Sequence, residues 1–482
     1  MNRKMVFGTA GKIVCAEALI LIIPLIVSLI YNEKCATSFL ITIAISAIVG
    51  AALVFFGKTE NEVIYAKEGF LTVSLSWILL SLIGALPFTI SGEIPNYVDA
   101  VFETVSGFTT TGASILTNIE AMSKGMLFWR SLTHWVGGMG VLVFVMAILP
   151  NVSKRSIHIM RAEVPGPVKG KLVPKMRDTA KILYLIYIAL TVIEIIFLLA
   201  GKMSLFDSIV HALGTAGTGG FGAKADSIGS YSDYLQWVIT IFMLLFGINF
   251  NVYYLLLTRH FKPVFKSSEL WTYIGVAVFA VVAITFNIHH MYESIPETIK
   301  QASFQVASIM TTTGYSTTDF NLWPTFAKAI LFALSLIGAC AGSTAGGFKV
   351  TRVVILFKKI RSEMKRLAHP RTVKVVNFEG KRLEESTTTG VTVYLAIYIV
   401  CYVAVFLAIS FFDNFDFETN FTAVSACFNN IGPGLGKVGP MGSFDCYSIA
   451  SKIILTISML LGRLEIFPLI IAFMPATWSK VK

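Results

Sequence analysis

The chain has 482 residues, of which 55% are hydrophobic and only 14% charged, and its mean hydropathy is +0.73. A soluble protein of this length needs far more polar surface to cover its cores, so a soluble globular fold is excluded. The formal net charge of +11 sits in a few segments between apolar runs, so it argues for membrane topology rather than for a nucleic-acid partner.

Two apolar stretches open the chain, 13–31 (with Glu17) and 35–57. The first is too long for a signal peptide. It ends in Tyr31-Asn32-Glu33-Lys34, with no small-residue cleavage site, and reads as an anchor. Uncharged stretches of spanning length recur at 70–92, 234–258, 270–288, 329–348 and 386–412. Three more carry a few ionisable residues: 125–149 (Arg130, His134), 182–200 (Glu194) and 453–478 (Arg463, Glu465). About 20 apolar residues match the hydrocarbon thickness, so ten full crossings are predicted. Lys and Arg concentrate in 154–181, 259–266 and 349–382, with Arg3, Lys4, Lys480 and Lys482 on the same face. The positive-inside bias then places both termini in the cytoplasm, and an even number of crossings agrees. The six cysteines show no paired metal-ligand spacing. Cys35 and Cys446 both fall on the outer side, and spacing leaves open whether they pair.

After the two leading helices one pattern occurs four times: a spanning helix, a segment too short to cross, a Gly-containing loop and a second spanning helix. The short segments are 97–108, 204–216, 297–310 and 417–428. Their loops carry Gly112, Gly219, Gly314 and Gly432, at spacings of 107, 95 and 118 residues. Each short segment has an acid in its first half (Asp99 and Glu103, Asp207, Glu297, Glu418). That placement suits the positive end of a helix dipole and leaves the negative end toward the membrane middle, where it favours a cation.

The loops read Thr109-Thr110-Thr111-Gly112, Gly217-Thr218-Gly219-Gly220, Thr311-Thr312-Thr313-Gly314 and Asn429-Asn430-Ile431-Gly432. Backbone carbonyls and Thr hydroxyls can replace a cation's hydration oxygens without fixed charge, which allows the ion to leave again. Glycine permits the backbone conformations that direct carbonyls inward. One such loop alone would be an ordinary extramembrane turn. Two near-identical TTTG copies, 202 residues apart and each behind a half-length helix, argue for a repeated ion site.

These motifs (TTTGAS, GTGGFG, TTTGYST and NNIGPGLG, in this order) resemble the four filter loops of the TrkH/KtrB/HKT superfamily of potassium transport proteins. The two extra N-terminal helices and the length look like TrkH-type bacterial subunits. The resemblance implies an all-α polytopic fold of four helix–pore loop–helix units in pseudo-four-fold arrangement, plus two leading helices. The expected divisions are 1–66, 67–180, 181–266, 267–384 and 385–482. It implies ion-binding positions at Thr110, Thr111 and Gly112; at Thr218, Gly219 and Gly220; at Thr312, Thr313 and Gly314; and at Asn430, Ile431 and Gly432. One glycine per loop lines the filter by motif match: Gly112, Gly219, Gly314 and Gly432. Sodium-selective members carry Ser at the first of these, so four glycines favour potassium, the transported ion and the only ligand expected. Two departures stand out: the fourth loop has no threonines before its glycine, and the second has Gly217 and Gly222 where hydroxyl residues are common.

The run Gly342-Ser343-Thr344-Ala345-Gly346-Gly347 interrupts an apolar segment with helix breakers. Taken alone it could be a loop at the cytoplasmic surface, but it looks like the family's intramembrane loop, which obstructs the pore below the filter. Arg463 lies inside the last apolar segment, where an ionisable residue is costly. It could snorkel or pair with Glu465; in the family a matching Arg projects into the pore, so a gate of 342–347 and Arg463 is expected. Arg130, His134 and Glu194 receive structural roles.

Gly434-x-Gly436-x-x-Gly439 follows no strand, and no GxxxxGK[ST] or HExxH run exists, so nucleotide hydrolysis and enzyme chemistry are not expected. The leading function is channel-like potassium uptake across a bacterial cytoplasmic membrane. The alternative is a sodium- or proton-coupled symporter, which would need embedded carboxylates; only Glu17, Glu103, Glu194 and Glu465 are available. A membrane enzyme or a structural scaffold leaves four filter-like loops unexplained. Besides membrane lipid, the resemblance implies a homodimer and a cytoplasmic ring of TrkA-like, nucleotide-binding RCK-type proteins as partners.

Overall fold

The computed structural model describes residues 2–59, 66–140, 176–369 and 376–478. The second half of the 125–149 stretch, most of the basic cluster 154–181, residues 370–375, Lys480 and Lys482 lie outside them.

Helices dominate; among the described residues the strands are two-residue pieces, Asn377–Phe378 and Lys381–Arg382, paired antiparallel. Among the described residues six helices are long and apolar enough to cross a membrane: Arg3–Ile30, Ala36–Phe56, Lys67–Ser91, Ala180–Ala200, Ser268–Met291 and Glu385–Phe412. Their exposed faces carry large apolar side chains such as Leu19, Phe55, Phe279, Val400 and Phe411, which suit lipid rather than water. The leading pair packs through small residues. A side chain at Gly11 would meet the Gly50 carbonyl oxygen at 2.8 Å, the close approach that lets helices associate in lipid.

Four short helices lie between the spans: Tyr97–Phe108, Leu205–Gly217, Ile295–Met310 and Phe417–Phe428. With 12 to 16 residues they reach about 18–24 Å, short of a ~30 Å core. Each starts on a side-chain cap: Asn96 accepts from the Val98 amide (2.9 Å), Ser204 from Asp207 (3.0 Å), Ser294 from Glu297 (3.3 Å) and Asp416 from Thr419 (2.9 Å). Hydrogen bonds from the Thr419 hydroxyl and amide hold the Asp416 carboxyl below its usual range.

The helix after each loop departs from the expected ten uninterrupted crossings. These helices run Lys124–Gly138, Asp233–Phe246, Thr325–Ile337 and Ile449–Arg463, only 13 to 15 residues, or about 20–22 Å. The chain turns by 90° between Phe246 and Phe250, breaks at Gly338 (φ 72°), and breaks again at Glu465 and Ile466 (φ 56° and 65°). The interruption expected only in the third unit therefore recurs in the second and fourth. Hydropathy sees the apolar side chains on both sides of such a break but not the backbone dihedrals that make it.

All six cysteines are unpaired, which settles the question for Cys35 and Cys446. Cys35 is buried beside the hydroxyls of Ser28 and Ser123, each at 3.2 Å.

Candidate ion-conduction site

The four short helices end in one repeated geometry. Thr110, Thr218, Thr312 and Asn430 follow or close them in the left-handed region, at φ 56°, 54°, 56° and 56°. The next residue's amide bonds back into the helix: Thr111 to the Ser106 carbonyl (2.8 Å), Gly219 to Gly214 (2.9 Å), Thr313 to Ser308 (2.8 Å) and Ile431 to Ala426 (2.8 Å). This is a Schellman-type cap. Asparagine tolerates the left-handed conformation; a β-branched threonine adopts it only when the surroundings impose it, at a cost of about 1–3 kcal/mol. The fourth loop's asparagine is thus the least strained of the four, which gives its departure a physical reason.

The shared caps fix the register. Two residues after each left-handed position stands a glycine at positive φ: Gly112 (80°), Gly220 (81°), Gly314 (81°) and Gly432 (100°). The second loop's equivalent glycine is therefore Gly220; Gly219, chosen by motif match, aligns with Thr111, Thr313 and Ile431. A side chain built on Gly112 would overlap the Gly219 carbonyl oxygen, on Gly220 that of Thr313, and on Gly314 that of Ile431. On Gly432 it would press on Thr111 at 2.8 Å. Each glycine faces the carbonyl of the following loop and the fourth faces the first, so the loops form a closed ring in chain order. All four glycines line a single cavity of about 340 Å³.

The threonine hydroxyls do not all serve the ring. Thr111 and Thr313 bond their own helix ends, at Thr109 (2.7 Å) and Thr311 (2.8 Å). Asn430 donates across to Thr111 (2.9 Å) and to the Met459 carbonyl (2.9 Å).

At the other end of the loops sits the 338–349 segment, turned by Gly338, Gly342 and Gly347 at positive φ. The Gly346 amide donates to the Thr312 hydroxyl (2.7 Å), and Gly346 has no space for a side chain against the Asn429 carbonyl. The guanidinium of Arg463 donates to the Thr110 hydroxyl (3.2 Å), the Thr344 carbonyl (2.9 Å), the Gly138 carbonyl (2.7 Å) and the Gly137 carbonyl. It therefore binds the first loop, the 342–347 run and the end of the first unit's second helix at once, rather than snorkelling to a surface. Glu465 pairs with Arg352 at 2.7 Å.

The chain matches the TrkH family, described as a cation transport protein, over residues 36–480. It belongs to the TrkH family. A Trk system potassium uptake protein TrkH of Escherichia coli K12 is 38% identical over 487 residues, covering 100% of both chains. The Trk system potassium uptake protein TrkG of the same strain is 34% identical, covering 98% of each. The crystal structure of the potassium transporter TrkH from Vibrio parahaemolyticus superposes with a TM-score of 0.88 at 32% identity, covering 99% of this chain and 100% of that one. TrkH proteins are a transport family, not an enzyme family.

Sequence reasoning missed Glu269. Its buried carboxylate accepts from the Ala341 amide (2.6 Å), from the Thr351 hydroxyl and from Asn249 (3.5 Å), tying the broken segment of the third unit to the helix Ser268–Ile288. In the sequence it reads as an ordinary acid in a first helical turn behind the Ser267 cap. Bonds to a charged acceptor contribute about 1.5–3 kcal/mol. Glu269→Gln is accordingly expected to raise amide exchange at residues 339–342 by about tenfold, read by hydrogen–deuterium exchange. Unchanged protection there would contradict the role.

Proposed function

We propose that this chain conducts potassium ions through the ring formed by its four loops, and that the 342–347 run and Arg463 form its gate. The observation that carries the reading is the closed register of Gly112, Gly220, Gly314 and Gly432, each against the next loop's carbonyl. A ring of neutral oxygens with room for an ion, at the carboxyl ends of four capped helices, favours a dehydrated cation that can still leave. The relatives named as potassium uptake proteins give the ion its identity. We take 67–180, 181–266, 267–384 and 385–482 as the four units, behind two leading helices.

The symporter alternative loses two of its four carboxylates: Glu103 bonds Arg130 (2.7 Å) and Glu465 bonds Arg352. The channel-like reading needs no coupling site. The basic segments 259–266 and 349–382 support a cytoplasmic placement of that face, hence of both termini, in a bacterial inner membrane. The relatives belong to a named Trk system, which supports separate regulatory polypeptides. A homodimer on a nucleotide-binding RCK-type ring is the arrangement we expect.

The test is rubidium uptake into potassium-loaded proteoliposomes of the purified protein, with external potassium or sodium as competitor. Strong inhibition by potassium and weak inhibition by sodium is expected. Equal inhibition by both would make the path non-selective. No uptake even with the cytoplasmic partner added would refute the assignment.

A further inference from the structure

The second loop has the fewest polar side chains of the four, with four glycines around Thr218 and Phe221. The first and third loops have their internal threonine pairs, and the fourth is held by Asn430 and by Asn429, which accepts from the Tyr398 hydroxyl at 2.8 Å. The Thr218 hydroxyl bonds the carbonyl of its own neighbour Gly217 (2.6 Å). Beyond its own Gly219–Gly214 cap, this loop is held by side chains of other units.

Phe221 follows Gly220 directly. Its ring lies 4.1 Å from the His134 ring at 30°, and the Arg130 guanidinium stands 4.0 Å from its centroid. Both contacts come from one face of the helix Lys124–Gly138, four residues apart. Glu103 fixes Arg130 at 2.7–2.8 Å and also accepts from Ser114 Oγ (3.0 Å) and the Ile115 amide (3.1 Å), just past Gly112 in the first loop. His134 Nδ1 is 2.7 Å from the Gly107 carbonyl. On the other side the Tyr315 hydroxyl, one residue beyond Gly314, sits 3.1 Å from the Phe221 carbonyl and 3.2 Å from that of His211. All five side chains are buried.

We propose that this belt, Glu103–Arg130–His134–Phe221–Tyr315, determines ion selectivity by positioning the second loop. The inference rests on the filter reading above. The five residues are positioning residues: they hold Phe221, and through it Gly220 and the carbonyl ring, at one spacing. A ring free to contract would accommodate the smaller sodium ion, so loosening the belt lowers discrimination while leaving the path open.

Tyr315→Phe removes only the hydroxyl, and Phe221→Leu only the stacking surface. In the rubidium assay both should keep rubidium flux within about twofold while sodium competes about fivefold more effectively, the effect of losing one buried hydrogen bond. Tyr402→Phe is the control: it removes a hydroxyl bonded to the Phe421 carbonyl (2.7 Å), within the short helix Phe417–Phe428 rather than on a loop, and should leave selectivity unchanged. Gly220→Ser runs beside them. If it alters selectivity while Tyr315→Phe and Phe221→Leu match the parent, the belt is refuted and the filter stands. If Gly220→Ser leaves selectivity unchanged, the filter reading itself fails. An equal shift in Tyr402→Phe would reduce the effect to general loosening and overturn the proposal. Where Phe221→Leu does not fold, Tyr315→Phe decides alone.

Discussion

Gly220→Ser is expected to abolish potassium-selective uptake. At φ 81° a side chain is strained by about 1–3 kcal/mol, and the new Cβ would overlap the Thr313 carbonyl oxygen of the next loop. That oxygen is backbone, so relief requires moving the ring itself. A loss of selective rubidium uptake of at least about tenfold follows, one decade per ~1.4 kcal/mol. Gly219→Ala meets a different obstacle, the His134 ring, which is a side chain. The double variant Gly219→Ala/His134→Ala should recover the rubidium flux that Gly219→Ala loses, with the weaker sodium discrimination expected of a belt lacking His134, while no truncation should rescue Gly220→Ser. Normal selectivity in Gly220→Ser, or rescue of Gly220→Ser by His134→Ala, would contradict the 112/220/314/432 register.

That register marks where the sequence stopped being informative. Gly217-Thr218-Gly219-Gly220 offers two glycines behind one threonine, and matching letters to TTTG selects the nearer one. Only the αL cap at Thr218, equivalent to Thr110, Thr312 and Asn430, shows that the further one is in phase. Four loops, their half-helices and the 342–347 break were legible because each rests on residue types with strong backbone consequences. The breaks after Phe246 and Arg463 were not. Glycine is common in spanning helices, and the apolar run continues past Gly247-Ile248-Asn249 and Leu464-Glu465-Ile466. Arg130 and His134 were legible as one helix face, but their contact with Phe221 joins residues about 90 apart in sequence, which no local pattern encodes.

Arg463→Ala is expected to raise basal rubidium flux by at least about tenfold. The guanidinium donates to Thr110 at the inner rim of the ring and to the Thr344 carbonyl beneath it. A cation reaching Thr110 would stand about 5 Å from this fixed charge, a repulsion of about 3 kcal/mol at an effective dielectric of 20. Removing the charge lowers that barrier and frees Thr344. The Gly346–Thr312 bond remains, so part of the obstruction should persist until residues 343–345 are deleted as well. Arg463→Lys separates charge from geometry: an ammonium keeps the repulsion but cannot span Thr110, Thr344, Gly137 and Gly138 as the planar fork does. If the electrostatic barrier dominates, the lysine variant stays near the parent flux. If the bridging bonds dominate, it leaks like the alanine variant. Parent-level flux in both Arg463→Ala and the 343–345 deletion would rule out this pair as the gate.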